Sequence, residues 1–155
     1  MSRKEITIFG QSEIAITSPK YRKTIQELNA EIMGSDSDPY YGAPVVILVL
    51  ADGNTNTFIE DGSCVLENMM LAATSLGLGS VWVHREREIF DRVKGKALLK
   101  EWGLSESLRG VGAIALGYPV SLEVEVAERK LYYLHINPHK KVLTNRINMF
   151  TICIN

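Results

Sequence analysis

Long apolar runs are missing from this 155-residue sequence. The longest, Ala43 to Ala51, suits a buried strand and falls far short of the roughly 20 residues a membrane-spanning helix needs. No membrane partner is therefore expected. The opening MSRKEITIFGQ lacks an apolar core of secretory-signal length, which points to a cytoplasmic protein. Cysteine is scarce. Cys64 and Cys153 are the only two, too few for a disulfide framework, and the apolar surroundings of Cys64 predict a buried, inert thiol. Charge of one sign is lacking too: the net value is −1, with no general pull toward nucleic acid or a lipid surface. There is no nucleophile elbow, P-loop, paired CxxC or zincin helix, so hydrolase and metal chemistry find no anchor. His135 and His139 stand four apart, but Pro138 between them prevents a shared helical face, and no third ligand accompanies them. No metal site is expected.

The stretch DGSCVLENMMLAATSLGLGSVWVH, Asp61 to His84, organises what is present. Val65, Leu66, Met69, Met70, Ala73 and Leu76 fall at i, i+3 and i+4 spacings and form one wide helical face. Asp61 or Ser63 is placed to cap the helix start, and Gly77 to end it in the left-handed conformation. Ser80-Val81-Trp82-Val83 then has the make-up of a short buried strand. Gly77-x-Gly79 is not a dinucleotide fingerprint, because the order is helix then strand. The glycines therefore sit at a helix C-terminus, where the dipole repels phosphate.

Ile6 to Phe9 and Glu13 to Thr17 read as short strands split by Gly10. Ser18-Pro19 opens a helix that runs to about Met33, with Tyr21, Ile25, Leu28 and Ile32 on one face. Gly34 to Pro39 is turn-rich; its acids lack EF-hand spacing and read as a solvated loop. Pro44 to Ala51 has the continuous apolar character of a central strand covered on both faces. Glu86 to Val93 and Lys96 to Trp102 read as two short helices separated near Gly95, with Arg87, Glu88, Asp91, Arg92, Lys96 and Lys100 on solvated faces. Gly110 to Gly117 is a further strand whose small residues permit close approach. Helices alternating with buried strands make a layered α/β or α+β domain.

From Arg129 to the end there are five Lys or Arg residues and no acid. Tyr132 to Ile136 reads as an additional strand whose edge needs a partner. The basic charge suits a local phosphate contact better than a nucleic-acid surface.

Four segments, GAPVVILVLAD, DGSCVLENMMLAATSLGLGSVWVHRE, GKALLKEWGL and GVGAIALGYP, resemble the flavin-dependent nitroreductase family in order and spacing, from about Asn29 to Pro119. The resemblance implies an α+β fold with a central sheet flanked by helices, spanning residues 1–137, with 138–155 as an atypical tail. It implies an intertwined homodimer with FMN at the subunit interface and the organising helix packed between subunits. The implied activity is NAD(P)H-dependent reduction of nitro compounds, quinones or similar small molecules by ping-pong hydride transfer. Carried over residue by residue, the Trp82-Val83-His84-Arg85 backbone runs beside the isoalloxazine, with an N–H near His84 or Arg85 facing N5. Arg129 and Lys130 fall where members place basic residues against the FMN phosphate. No catalytic side chain is implied, since flavin carries the hydride. Members begin with a helix bearing an Arg-Arg-Ser-x-Arg-like motif that MSRKEITIFGQ does not match. The expectation is thus a nitroreductase core without that flavin-binding segment. The alternatives are a flavin-free dimeric remnant that acts by binding or, on the basic tail alone, an unrelated phosphate-binding module.

Overall fold

The computed structural model describes residues 6–9 and 13–120. Its elements run β1 (Ile6–Phe9), β2 (Glu13–Ile16), α1 (Pro19–Met33), β3 (Val45–Asp52), α2 (Phe58–Ser75), β4 (Gly79–Val83), α3 (Glu86–Asp91), α4 (Val93–Glu101) and β5 (Leu108–Gly117). The strands form one antiparallel sheet in the order β1-β2-β3-β5-β4. The expected α+β class with a helix-flanked central sheet is the architecture observed. Tyr132 to Ile136 lies outside the described residues.

β3 is central, as its continuous apolar run predicts. Val46 pairs with Ile16 on one side and Ala115 on the other. Strand alternation divides its side chains between two cores. Val46, Leu48 and Leu50 join Ile14, Ile16, Ala113 and Ala115 under Tyr21 and Ile25 of α1, Ile89 and Phe90 of α3 and Leu99 of α4. Val49 and Ile114 face the opposite way, against Leu66 of α2, with Trp82, Met69 and Met70 packed around them. Among the described residues, therefore, three helices cover one face of the sheet and α2 covers the other.

α1 begins at Pro19, whose fixed φ and missing N–H suit a first helical position. It ends on left-handed Gly34. α2 starts four residues earlier than a cap at Asp61 implies, with Thr57 as its N-cap; Asp61 instead accepts from the Thr57 hydroxyl at 2.8 Å. Its C-terminus is the expected one. Gly77 has φ +70°; its N–H donates to the Thr74 carbonyl and that of Leu78 to the Ala73 carbonyl, the paired bonds of a Schellman stop.

Three expectations need correction. Among the described residues β4 stands at the edge of the sheet, not inside it, and Val81 remains 43% exposed. Cys64 is exposed, on the side of α2 turned away from the sheet, which no other described element covers. The break between α3 and α4 falls at Arg92, whose extended backbone (ψ 161°) interrupts both helices, and Gly95 lies inside α4. Two of the residues assigned to solvated faces are also engaged. Asp91 receives a two-pronged ion pair from Arg109, the Nε contact being 2.8 Å, and Lys96 donates to the carbonyls of Glu106 and Leu108. Among the described residues no helix is long and apolar enough to cross a membrane.

Candidate functional site

A cleft of about 580 Å³ opens where β4 leaves the sheet and α3 begins. Its walls come from three elements. α2 contributes Ile59 and Ser63, one turn apart, and β5 contributes Gly110 and Val111. Trp82, His84, Arg85, Arg87 and Glu88 come from the end of β4 and the start of α3. Gly62 seats α2 against β5, since a Cβ there would lie 2.5 Å from a Val111 methyl. Gly110 does the same for the other wall: a Cβ would overlap the backbone of Glu86. The small residues of β5 thus admit protein segments at close range.

The strand-to-helix turn is tightly specified. Arg85 has φ +86°, a left-handed conformation uncommon for a side-chain-bearing residue and held only where surrounding contacts over-determine it. Those contacts lie beneath it. The Asn29 amide donates to the His84 carbonyl at 2.9 Å and to the Tyr40 hydroxyl at 3.3 Å, and the Tyr40 hydroxyl donates to Glu86 Oε1 at 2.9 Å. Asn29, Tyr40 and Glu86 are all fully buried. Burial pushes the Glu86 carboxyl up to about 8, against the opposing influence of the Tyr40 hydrogen bond, and also raises the Tyr40 hydroxyl.

The wall above this network is half apolar and half cationic. Trp82 packs its indole toward the α2 core, with the His84 ring 5.5 Å away, tilted by 32°. Arg109 is committed to Asp91 and lies over the Phe58 ring at 5.1 Å. Arg85 and Arg87 therefore supply the positive charge that lines the cleft, with Glu88 beside them. A flat, largely apolar ring system with an anionic tail fits such a donor set: Ile59, Trp82 and Val111 for the rings, guanidinium groups and the Ser63 hydroxyl for the polar parts. FMN has that chemistry. Among the described residues no group of three or more His, Cys, Asp or Glu could hold a metal ion.

Of the six residues singled out from sequence, Trp82, His84 and Arg85 line one cleft. Val83 turns its side chain into the main core and offers only backbone. Arg129 and Lys130 lie outside the described residues. Sequence reasoning missed Asn29, Tyr40 and Glu86, and also Ile59, Ser63 and Arg87. Asn29 did leave a trace: it falls four residues after Ile25 in the apolar stripe of α1, where a polar residue must find a buried partner.

The Nitroreductase family model matches residues 11–118. A protein of Methanothermobacter thermautotrophicus, provisionally named NADH dehydrogenase/NAD(P)H nitroreductase, is 36% identical over 81 residues, covering 50% of this chain and 41% of that protein. The chain spans less than half the length of the curated relatives it matches. Among solved structures, a nitroreductase with bound FMN from Bacteroides fragilis is similar with a TM-score of 0.67 and 25% identity, over 81% of this chain and 73% of that one. An FMN-bound nitroreductase from Desulfitobacterium hafniense shares the fold at a TM-score of 0.65 and 18% identity, over 82% and 77%.

Proposed function

The chain belongs to the nitroreductase family, and from that membership we propose that it is an FMN-dependent oxidoreductase. It takes electrons from NADH or NADPH and passes them to nitro compounds, quinones or similar small acceptors. The observation that carries this reading is the cleft at the Trp82–Arg85 turn, with an apolar wall, a cationic rim and a buried network that fixes its backbone. FMN, when bound, supplies the hydride chemistry. The chain's residues supply the rest. Ile59, Trp82 and Val111 exclude water from one side of the cleft. Arg85 and Arg87 offset negative charge, and the rigid turn presents the backbone of His84 and Arg85. No side-chain acid or base is required of the protein. Arg129 and Lys130 are proposed to pair with the cofactor phosphate.

The same reading makes the working form a cytoplasmic homodimer. Its support is the outer side of α2 together with the β4 edge, where Leu71 is 50%, Leu76 74% and Val81 43% exposed. Such apolar exposure marks an interaction surface.

Fluorescence titration of FMN into the purified protein, followed by anaerobic oxidation of NADH or NADPH, tests the proposal. Arg129→Ala is expected to weaken FMN binding about ten- to hundredfold, since a charged hydrogen bond contributes roughly 1.5–3 kcal/mol. Lys130→Ala should cost less, because lysine offers a point charge and arginine a fork. Equal affinities in all three proteins would remove the phosphate role. No binding by any would leave the flavin-free dimer.

A further inference from the structure

Beneath the cleft, Asn29, Tyr40 and Glu86 come from three separate parts of the chain and meet with no solvent contact. Their hydrogen bonds form a single path. It runs from the His84 carbonyl through the Asn29 amide and the Tyr40 hydroxyl to Glu86 Oε1. Two acceptors in this cluster, Asn29 Oδ1 and Glu86 Oε2, are buried without a partner among the described residues. The protonated carboxyl has an O–H to donate, whereas the carboxylate has none and only adds an acceptor. A cluster that already holds surplus acceptors therefore favours the neutral acid.

We infer that Asn29, Tyr40 and Glu86 are positioning residues that hold the His84–Arg85 wall in its flavin-accepting geometry, and do so only while Glu86 keeps its proton. The inference rests on the flavin reading above for its ligand, but not for its structural content. Charge in the neighbourhood is accounted for. Arg85 and Glu88 act on Glu86 from its own segment with opposite signs. Arg22 lies 4.9 Å over the Tyr40 ring and is itself paired with Asp38 at 2.8 Å. On the β5 and α4 side, Arg109 is tied to Asp91 and Lys96 to backbone carbonyls. Burial raises the Glu86 carboxyl to about 8, so its protonation changes just above neutral pH. The ordered wall is then the form with Glu86 neutral, and ionisation places an under-hydrogen-bonded charge directly under the turn.

Two measurements on the full chain test this. FMN dissociation constants are read from pH 6 to 9 for wild type, Glu86→Gln and Tyr40→Phe. Wild type should weaken by about tenfold from pH 7 to 9, as the binding-competent fraction falls. Glu86→Gln, which cannot ionise, should bind FMN with an affinity that stays level over that range, so that its difference from wild type grows with pH. Tyr40→Phe removes the hydrogen bond that lowers the Glu86 value, and its midpoint should move to higher pH. The second measurement is hydrogen–deuterium exchange of the His84 to Arg87 amides, corrected for the intrinsic effect of pH. Exchange there should be at least tenfold faster in Asn29→Ala and Tyr40→Phe, with β3 unchanged. It should also quicken above pH 8 in wild type but not in Glu86→Gln. Tyr40→Phe removes one oxygen and no bulk, so it carries the test if Asn29→Ala fails to fold. Identical pH profiles in wild type and Glu86→Gln, with unchanged exchange at the turn, would overturn the inference. A wild type that binds no FMN sinks the flavin reading alone, and the exchange data still decide the network.

Discussion

Glu86 is the residue whose ionisation couples most directly to folding. Its ordinary value is 4.5 and its folded value about 8, so between those pH values the unfolded chain releases a proton that the fold retains. Stability then falls as pH rises through this window, and the full cost is present above about pH 8. Glu86→Gln should therefore match wild type near pH 4 and exceed it at pH 9, by a few kcal/mol at most. Urea midpoints measured across that range would show the two proteins diverging; parallel curves would mean that Glu86 is solvated. His84 presents the opposite case. Its ring is exposed, and its buried contact is the carbonyl held by Asn29. His84→Ala is expected to leave FMN bound and reduction rates within about tenfold, a barrier change of about 1.4 kcal/mol or less. A drop of several orders of magnitude would make the imidazole a proton donor. The location of the turn was legible from sequence in Trp82 to Arg85. The network beneath it was not, because its three members share no periodicity and come together only through the packing of α1 and α3 on the sheet.

At the level of elements, α2 and β4 carry the two clearest contrasts between pattern and structure. The apolar spacing of α2 announced a helix and Gly77 announced its stop, and both are present. What spacing could not convey is how many layers would lie above it. Only Phe58, Gly62, Leu66 and Ala73 are buried along its length, so much of the apolar face is turned outward or half covered. The make-up of β4 likewise indicates a strand without indicating its neighbours. Its place at the sheet edge follows from β5, which inserts between β4 and β3. Where α2 crosses β5, Gly62 sets the separation. Gly62→Ala should gain about 1 kcal/mol of helix propensity, but overpacking against Val111 costs roughly 1–3 kcal/mol. The net expectation is a lower melting temperature. FMN binding should also weaken, because Ile59 and Ser63 on that turn line the cleft. A variant with unchanged melting and affinity would show that the helix can shift at no cost.

For the whole molecule, the outer side of α2, where Leu71 is 50% and Leu76 74% exposed, makes stability depend on concentration if copies associate there. Sedimentation at micromolar concentration should give a dimer, with a melting temperature that climbs as protein concentration increases. Met70 packs against the Val49–Ile114 core, so Met70→Lys should break association and fold together, since a charge buried without a partner costs several kcal/mol; a wild type that stays monomeric and melts independently of concentration would remove that role from α2. The strand order also governs how the chain is born. β3 lies at the centre of the sheet, yet its neighbour β5 is separated from it in sequence by α2, β4, α3 and α4. At roughly 5–20 residues per second on a ribosome, several seconds pass between the emergence of Asp52 and that of Leu108. Throughout that interval β3 has one unpaired edge and β4 has no partner strand, the condition that invites misassembly and attracts chaperones. Nascent chains arrested before Leu108 should therefore be cut readily by protease within α2, and chains arrested after Gly117 has left the exit tunnel should resist. For this topology the centre of the sheet is completed late in synthesis, by the last strand of the described fold.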